Sequence, residues 1–198
     1  MHSNGGMRMK RIVLAAVVGV LALASAEPAR AQVFTPTFQA PVRGNDIGLY
    51  LSDFGGDLAI EGIGRRSLGG YDLGLRLGIA DDAVLVGLDT RSPLALAGTA
   101  PLDLALTFGG QGALGDANAF GAQVGLSIGH TFAAPELSIT PYIHPRAAFY
   151  FGDILDEGFH PQADVGLDVA FRPNLILRFG ANLADEGADW GLGLSFRR

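Results

Sequence analysis

The chain has 198 residues, 48% hydrophobic and 17% charged, with a formal net charge of −6 and no cysteine. So apolar a composition excludes disorder, the missing cysteines exclude a disulfide-stapled mini-protein, and 29 glycines without a period of three exclude collagen. An acidic chain with no DNA- or RNA-binding motif has no nucleic-acid partner to expect.

The first element is a leader. Lys10 and Arg11 precede an unbroken apolar run over residues 12–23, the length of a signal-peptide core and well short of the ~20 residues of a spanning helix. Two small-x-small cleavage sites follow, Ala24-Ser25-Ala26 and Ala29-Arg30-Ala31. Residues 1–31 are read as a signal peptide cut after Ala31, and residues 32–43 as an N-terminal linker. Cleavage would remove Arg8, Lys10, Arg11 and Arg30 against Glu27 alone, leaving a more acidic chain without lysine.

Residues 44–198 form the barrel domain, where apolar residues recur at every second position, the period of a strand. Tyr71, Leu73, Leu75, Leu77 and Ile79 alternate with Asp72, Gly74, Arg76 and Gly78. Leu102 to Phe108, Phe120 to Ile128, Leu137 to Phe151, Val165 to Phe171, Leu175 to Leu183 and Trp190 to Phe196 repeat the pattern, with no charge on the apolar face of any run. Weaker runs occupy residues 47–52, 57–63 and 83–89. Together they make about ten strands joined by Gly, Asp, Asn and Pro turns, with eight as second choice if residues 44–64 lie outside.

Two faces alternate, and one of them meets water. A soluble periplasmic lipocalin-like barrel binding an apolar ligand would turn the leucines inward; a membrane barrel would turn them out. The polar face carries Gly, Ser, Thr and Asp rather than the Lys and Glu of a wet surface. Tyr71, Phe108, Phe120, Phe132, Phe151, Phe171, Trp190 and Phe196 are read as strand-end aromatics, as two interfacial girdles require. Charge is sorted by turn: Asp53, Asp81, Asp82, Asp116, Asp153, Asp156, Glu157, Asp185, Glu186 and Asp189 follow odd strands. Arg65, Arg66, Arg91 and Arg172 follow even strands, on the side where Arg197 and Arg198 end the chain, with Glu136 the exception. The fold class is therefore all-β: a closed, antiparallel, up-and-down transmembrane barrel, because an open edge in lipid costs several kcal/mol per unpaired group.

The ending Trp190-x-Leu192-x-Leu194-x-Phe196 and the alternation over residues 44–198 resemble the small outer-membrane β-barrel proteins of Gram-negative bacteria, the broad class that includes the membrane part of outer-membrane protein A. The resemblance implies the outer membrane as address after signal-peptide-directed export, with lipid, lipopolysaccharide and the outer-membrane assembly machinery as partners. It also implies a periplasmic C-terminus, and hence extracellular acidic loops. The two arginines after Phe196 depart from the family, which usually ends on the aromatic residue.

By parity, Asp57, Glu61, Asp72, Arg76, Asp89, Asp103, His144, Arg146, Asp164, Asp168 and Arg178 face the lumen. Either they pair across it, as a structural barrel of the envelope requires, or water and small solutes fill a narrow, cation-favouring passive pore. His144 beside Arg146 and Tyr142, with Ser127 or Ser138 in argued reach, is the one constellation a lipid-modifying enzyme could use, but no local motif supports it, so no catalytic residue is assigned. His130 reads as an interfacial residue. His160, in a loop beside Asp156 and Glu157, is weak as a ligand set, and neither metal nor cofactor is expected. Gly62-x-Gly64 before Arg65-Arg66 lacks the helix a phosphate loop needs. Pro141 and Pro145 predict a bulge, or a protrusion past the bilayer, in the longest strand. The acidic loops could hold divalent cations that bridge lipopolysaccharide.

Overall fold

The computed structural model describes residues 36–54, 57–80, 83–95, 101–116, 118–152, 157–171, 174–183 and 190–198. The proposed leader lies outside them, as do Asp81, Asp82, Asp153, Asp156, Arg172, Asp185, Glu186 and Asp189. Among the described residues there are eleven strands: β1 (Asp46–Phe54), β2 (Asp57–Leu68), β3 (Tyr71–Ala80), β4 (Ala83–Leu94), β5 (Asp103–Leu114), β6 (Ala119–Gly129), β7 (Phe132–Ala134), β8 (Leu137–Gly152), β9 (Gly158–Phe171), β10 (Leu175–Asn182) and β11 (Trp190–Arg197).

Apart from β6 and β7, which do not pair with each other, each strand pairs antiparallel with its neighbours in sequence, and β1 pairs with β11, Asp46 opposite Arg197 and Leu51 opposite Leu192, which closes the sheet. Both β6 and β7 pair with β8 in one unbroken register, Phe120 opposite Phe151 and Phe132 opposite Ile139, so they are two parts of one stave and the barrel has ten. Residues 46–68 supply two of these staves, which disposes of the eight-stranded arrangement. Closure removes every edge, so each stave has its backbone ladder on both sides.

The apolar stripe of each strand points outward. Leu49 is 71% exposed and Phe159 67%, and Leu75, Leu77, Ile79, Leu88, Phe149 and Leu194 continue the belt. The opposite stripe is buried in the lumen: Tyr50, Ser52, Glu61, Arg65, Asp72, Arg76, Arg91, Tyr142, His144, Arg146, Asp164 and Arg178. A barrel that bound an apolar ligand inside would show the reverse. At the end of the lumen bordered by the β1–β2 and β3–β4 turns, Ala59, Ala80, Leu85, Ala113 and Ala119 form a small inward apolar cluster.

Three expectations are corrected. First, β5 continues through Gly109-Gly110-Gln111-Gly112 to Leu114, so Phe108 lies mid-strand rather than in a girdle; runs of glycine hid the second half. Second, β8 crosses Pro141 and Pro145 without a bulge. Its register against β9 is continuous, Pro141 opposite Leu167 and Pro145 opposite Ala163, and the ladder to β6 is interrupted instead, between Gly125↔Arg146 and Ile128↔Ile143. Third, His160 belongs to β9, not to a loop, its ring 5.6 Å from that of Tyr150. His130 stands between β6 and β7, edge-on to Phe132 with ring centres 4.7 Å apart.

Candidate functional site

Ten staves enclose more space than eight, whose side chains just fill the interior, and far less than the 16 or more of open porins. The extra width here holds a strand of the chain itself. Residues 36–41, within the stretch read from the sequence as a linker, are buried inside the barrel, with Phe38 wholly enclosed. This segment adds no rung to the sheet. It descends the lumen to the rim at the β2–β3 turn, where residues 43–45 lead into β1.

The wall grips the segment largely through its backbone. Arg76 donates to the carbonyl of Pro36 at 3.0 Å, Arg91 to that of Ala40, and Ser127 to that of Gln39. The Thr37 amide donates to Asp164 at 3.0 Å, and its hydroxyl meets both Asp164 and His144 Nδ1. Lower down, the Gly44 amide and the Arg43 guanidinium reach Asp72, and Arg43 also donates to the Gly69 carbonyl. An extended peptide with few side-chain donors of its own has to have its amides and carbonyls satisfied by the wall, since unpaired buried ones cost about 1–3 kcal/mol each.

Packing fixes its position further. The Phe38 ring lies 4.7 Å from the Tyr50 ring, under the Arg76 guanidinium at 5.5 Å. Phe38 holds a φ of 52°, a left-handed conformation that a bulky residue keeps only where its surroundings overdetermine it. Gly180 and Gly191 make room for this segment: a Cβ at either would run into the Pro36 ring, and at Gly191 also into Phe38. Between Thr37, Gln39, Arg76, Asp89, Gln111 and Gln123 a cavity of about 20 Å³ remains, about enough for one water.

Most of the inward charges expected from the sequence are brought together, in three groups. Arg178 is the hub of the first, with its fork on Asp46 at 2.8 and 3.0 Å, its Nε on Asp168 at 3.1 Å, and contacts to the hydroxyls of Tyr50 at 2.6 Å and Ser195 at 3.1 Å. In the second, Asp164 accepts from Asn182 at 2.7 Å and Arg146 at 3.3 Å, and Arg146 reaches Gln123 at 2.5 Å. The third is a chain of pairs: Arg76 with Glu61, itself bonded to Ser52; Arg91 with Asp72 at 2.7 Å; Arg65 with Asp89 at 3.3 Å. Each buried charge is thus paired across staves, which is the condition for tolerating it away from water.

Asp57 and Asp103 share the inward parity but stand exposed at opposite rims, so neither joins these groups. Parity gives a face, not a depth. Arg65 and Arg91, read from the sequence as turn residues, are instead buried lumen groups within β2 and β4, whose ends lie farther on at Leu68 and Leu94. Their parity with Glu61 and Asp89 carried the signal. Asp46, Tyr50, Thr107 and Asn182 also belong to the lumen networks, and nothing in the sequence pattern distinguishes them.

At His144 the ring nitrogens meet threonine hydroxyls rather than the serines considered from the sequence. Thr37 at 2.8 Å and Thr107 at 2.7 Å occupy both ring nitrogens, Asp164 lies 3.5 Å from Nδ1, and the Ser127 hydroxyl is spent on Gln39. The imidazole is wholly enclosed. Among the described residues no group of three or more His, Asp or Glu side chains is arranged to hold a metal.

The rims retain the sorting of charge among described residues: Asp57, Asp116 and Glu157 at one end, Arg43, Arg66, Arg197 and Arg198 at the other, where Asp103 and Glu136 are the acids.

No protein-family model matches the chain, and no curated protein matches it. Solved structures do. The β domain of the Bordetella autotransporter BrkA aligns over 78% of this chain and 98% of its own, at 13% identity and a TM-score of 0.51. The NanC porin aligns over 78% and 100%, at 7% identity and a TM-score of 0.51. At these identities the likeness is one of fold: this chain is a small β-barrel of the outer-membrane type.

Proposed function

We propose that the protein is a non-enzymatic barrel of the bacterial outer membrane, exported by its leader, and that it serves as a structural component of the envelope with its lumen closed. The closure carries the reading: residues 36–41 lie in the lumen, bonded to Arg76, Arg91, Ser127 and Asp164 from four different staves. A passive pore needs a continuous wet path, and here the buried charges of the wall are paired with one another and residues 36–41 are buried between them. The outward leucines and phenylalanines support lipid as the surrounding medium, because an apolar belt this extensive on a soluble monomer would aggregate. The pattern from Trp190 to Phe196, which lies on β11 and closes the barrel, supports handling by the outer-membrane assembly machinery. Lipopolysaccharide would meet the acidic rim.

Planar-bilayer conductance tests the reading. The native chain is expected to give no channel steps, and a variant with residues 36–41 replaced by a Gly-Ser stretch of equal length is expected to give discrete, cation-favouring steps. Steps of similar size from both proteins would establish the narrow-pore alternative instead.

A further inference from the structure

The outward belt is interrupted on β2. Along the rung Phe196–Ile47–Gly64–Leu75, and along the next rung Leu194–Leu49–Gly62–Leu77, β2 contributes glycine where the staves on both sides contribute large apolar side chains. A Cβ at Gly64 would meet nothing within 4 Å, and one at Gly62 only the Leu77 carbonyl at 3.9 Å, so packing within the sheet does not demand these glycines. The result is a groove of about 520 Å³ on the outer surface, floored by Gly62 and Gly64 and walled by Leu49, Leu75, Leu77 and Phe196.

The groove leads into a second space, sharing Ile47, Gly64 and Leu75 with it, whose far end is polar: Asn45, Arg66, Ser67 and Arg198. Asn45 links the two sides there, its carbonyl accepting from the Arg198 amide at 2.9 Å and its side-chain oxygen from the Ser67 amide at 2.7 Å. Arg66 and Arg198 follow the outward parity and are exposed. The other charged side chains on this space are already paired: Asp46 with Arg178, and Arg65 with Asp89.

An apolar furrow running along the barrel wall to two outward arginines at the rim has the dimensions and polarity of one ligand class. We propose that it binds a phospholipid of net negative headgroup, one acyl chain lying over Gly62 and Gly64 and the phosphate between Arg66 and Arg198. Guanidinium groups pair with phosphate oxygens bidentately, and basic clusters at a membrane interface select anionic headgroups. The proposal rests on the barrel facing hydrocarbon.

Native mass spectrometry of the full chain in detergent micelles, titrated with palmitoyl-oleoyl phosphatidylglycerol or the matching phosphatidylethanolamine, tests it. The expected result is a single retained phosphatidylglycerol at roughly tenfold lower concentration than phosphatidylethanolamine. The preference should vanish in the R66S/R198S double variant. In Gly64→Leu, which fills the groove without crowding the sheet, retention of both lipids should fall. Equal retention of the two lipids by the native chain would overturn the site, as would a preference that survives R66S/R198S, tighter retention of lipid A, or a dimer that excludes lipid. Cell fractionation keeps the two readings apart: recovery of the chain in the soluble periplasm defeats the membrane assignment, while a membrane-embedded barrel with no lipid preference defeats only the site.

Discussion

Arg178→Ala should lower the stability of the folded barrel by about 3–5 kcal/mol, the cost of leaving buried carboxylates without their counter-charge. One guanidinium joins β10 to Asp46 and Tyr50 on β1, Asp168 on β9 and Ser195 on β11, which includes the β1–β11 seam where the barrel closes. Its removal strands Asp46, almost wholly buried, and Asp168, whose side chain is 13% exposed. The midpoint of urea unfolding in lipid vesicles, followed by heat-modifiable migration on a gel, reads the loss. Arg178→Lys should recover only part of it, because a point ammonium cannot reproduce the two-pronged contact with Asp46 while also reaching Asp168. An Arg178→Ala barrel as stable as the native one would mean that the seam is held by its ladder alone.

Asp164→Ala should cost a similar amount, about 3–5 kcal/mol, and should in addition loosen the lumen. Arg146 would remain buried with Gln123 for company and no opposite charge, and Asn182 would lose its acceptor. Thr37 would lose the carboxylate that holds both its amide and its hydroxyl, and Thr37 is the anchor of the segment on the β8–β9 side. The same urea midpoint measures the stability, and planar-bilayer recordings should show noisy openings where the native chain is silent. Asp57→Asn and Asp103→Asn, of equal sequence parity but at exposed rims, should stay within about 0.5 kcal/mol of native. A loss at those two positions matching that at Asp164 would show that the lumen networks do not depend on burial.

The period of two carried most of the fold. It placed Glu61, Asp72, Arg76, Asp89, Arg146, Asp164, Asp168 and Arg178 on one face because a strand alternates strictly, and a buried face in a closed barrel has no freedom to slip. Depth along the strand has no such signature. Periodicity therefore assigns Asp57 and Asp103 to the lumen, and the spacing of turn residues assigns Arg65 and Arg91 to the turns, although β2 and β4 continue three residues past each arginine. Beyond periodicity the sequence was silent. The segment Thr37-Phe38-Gln39-Ala40 has no charge, no alternation and no local partner; its hydrogen bonds reach Asp164, 127 positions away, and Ser127, 88 positions away. A stretch bound through its backbone leaves little trace in its own side chains. The space made for it, at Gly180 and Gly191, looked like two ordinary members of a glycine-rich stripe.

The outward orientation of the leucine stripe can be measured with one tryptophan. Trp190 is the only tryptophan in the chain, so Trp190→Phe with Leu77→Trp places a single indole at mid-belt on β3, where the native side chain is half exposed. Reconstituted in vesicles, that indole should be quenched most strongly by lipids brominated deep in the acyl chain and left untouched by aqueous iodide. Emission indifferent to bromine and quenched by iodide would place the stripe in water and contradict the membrane barrel.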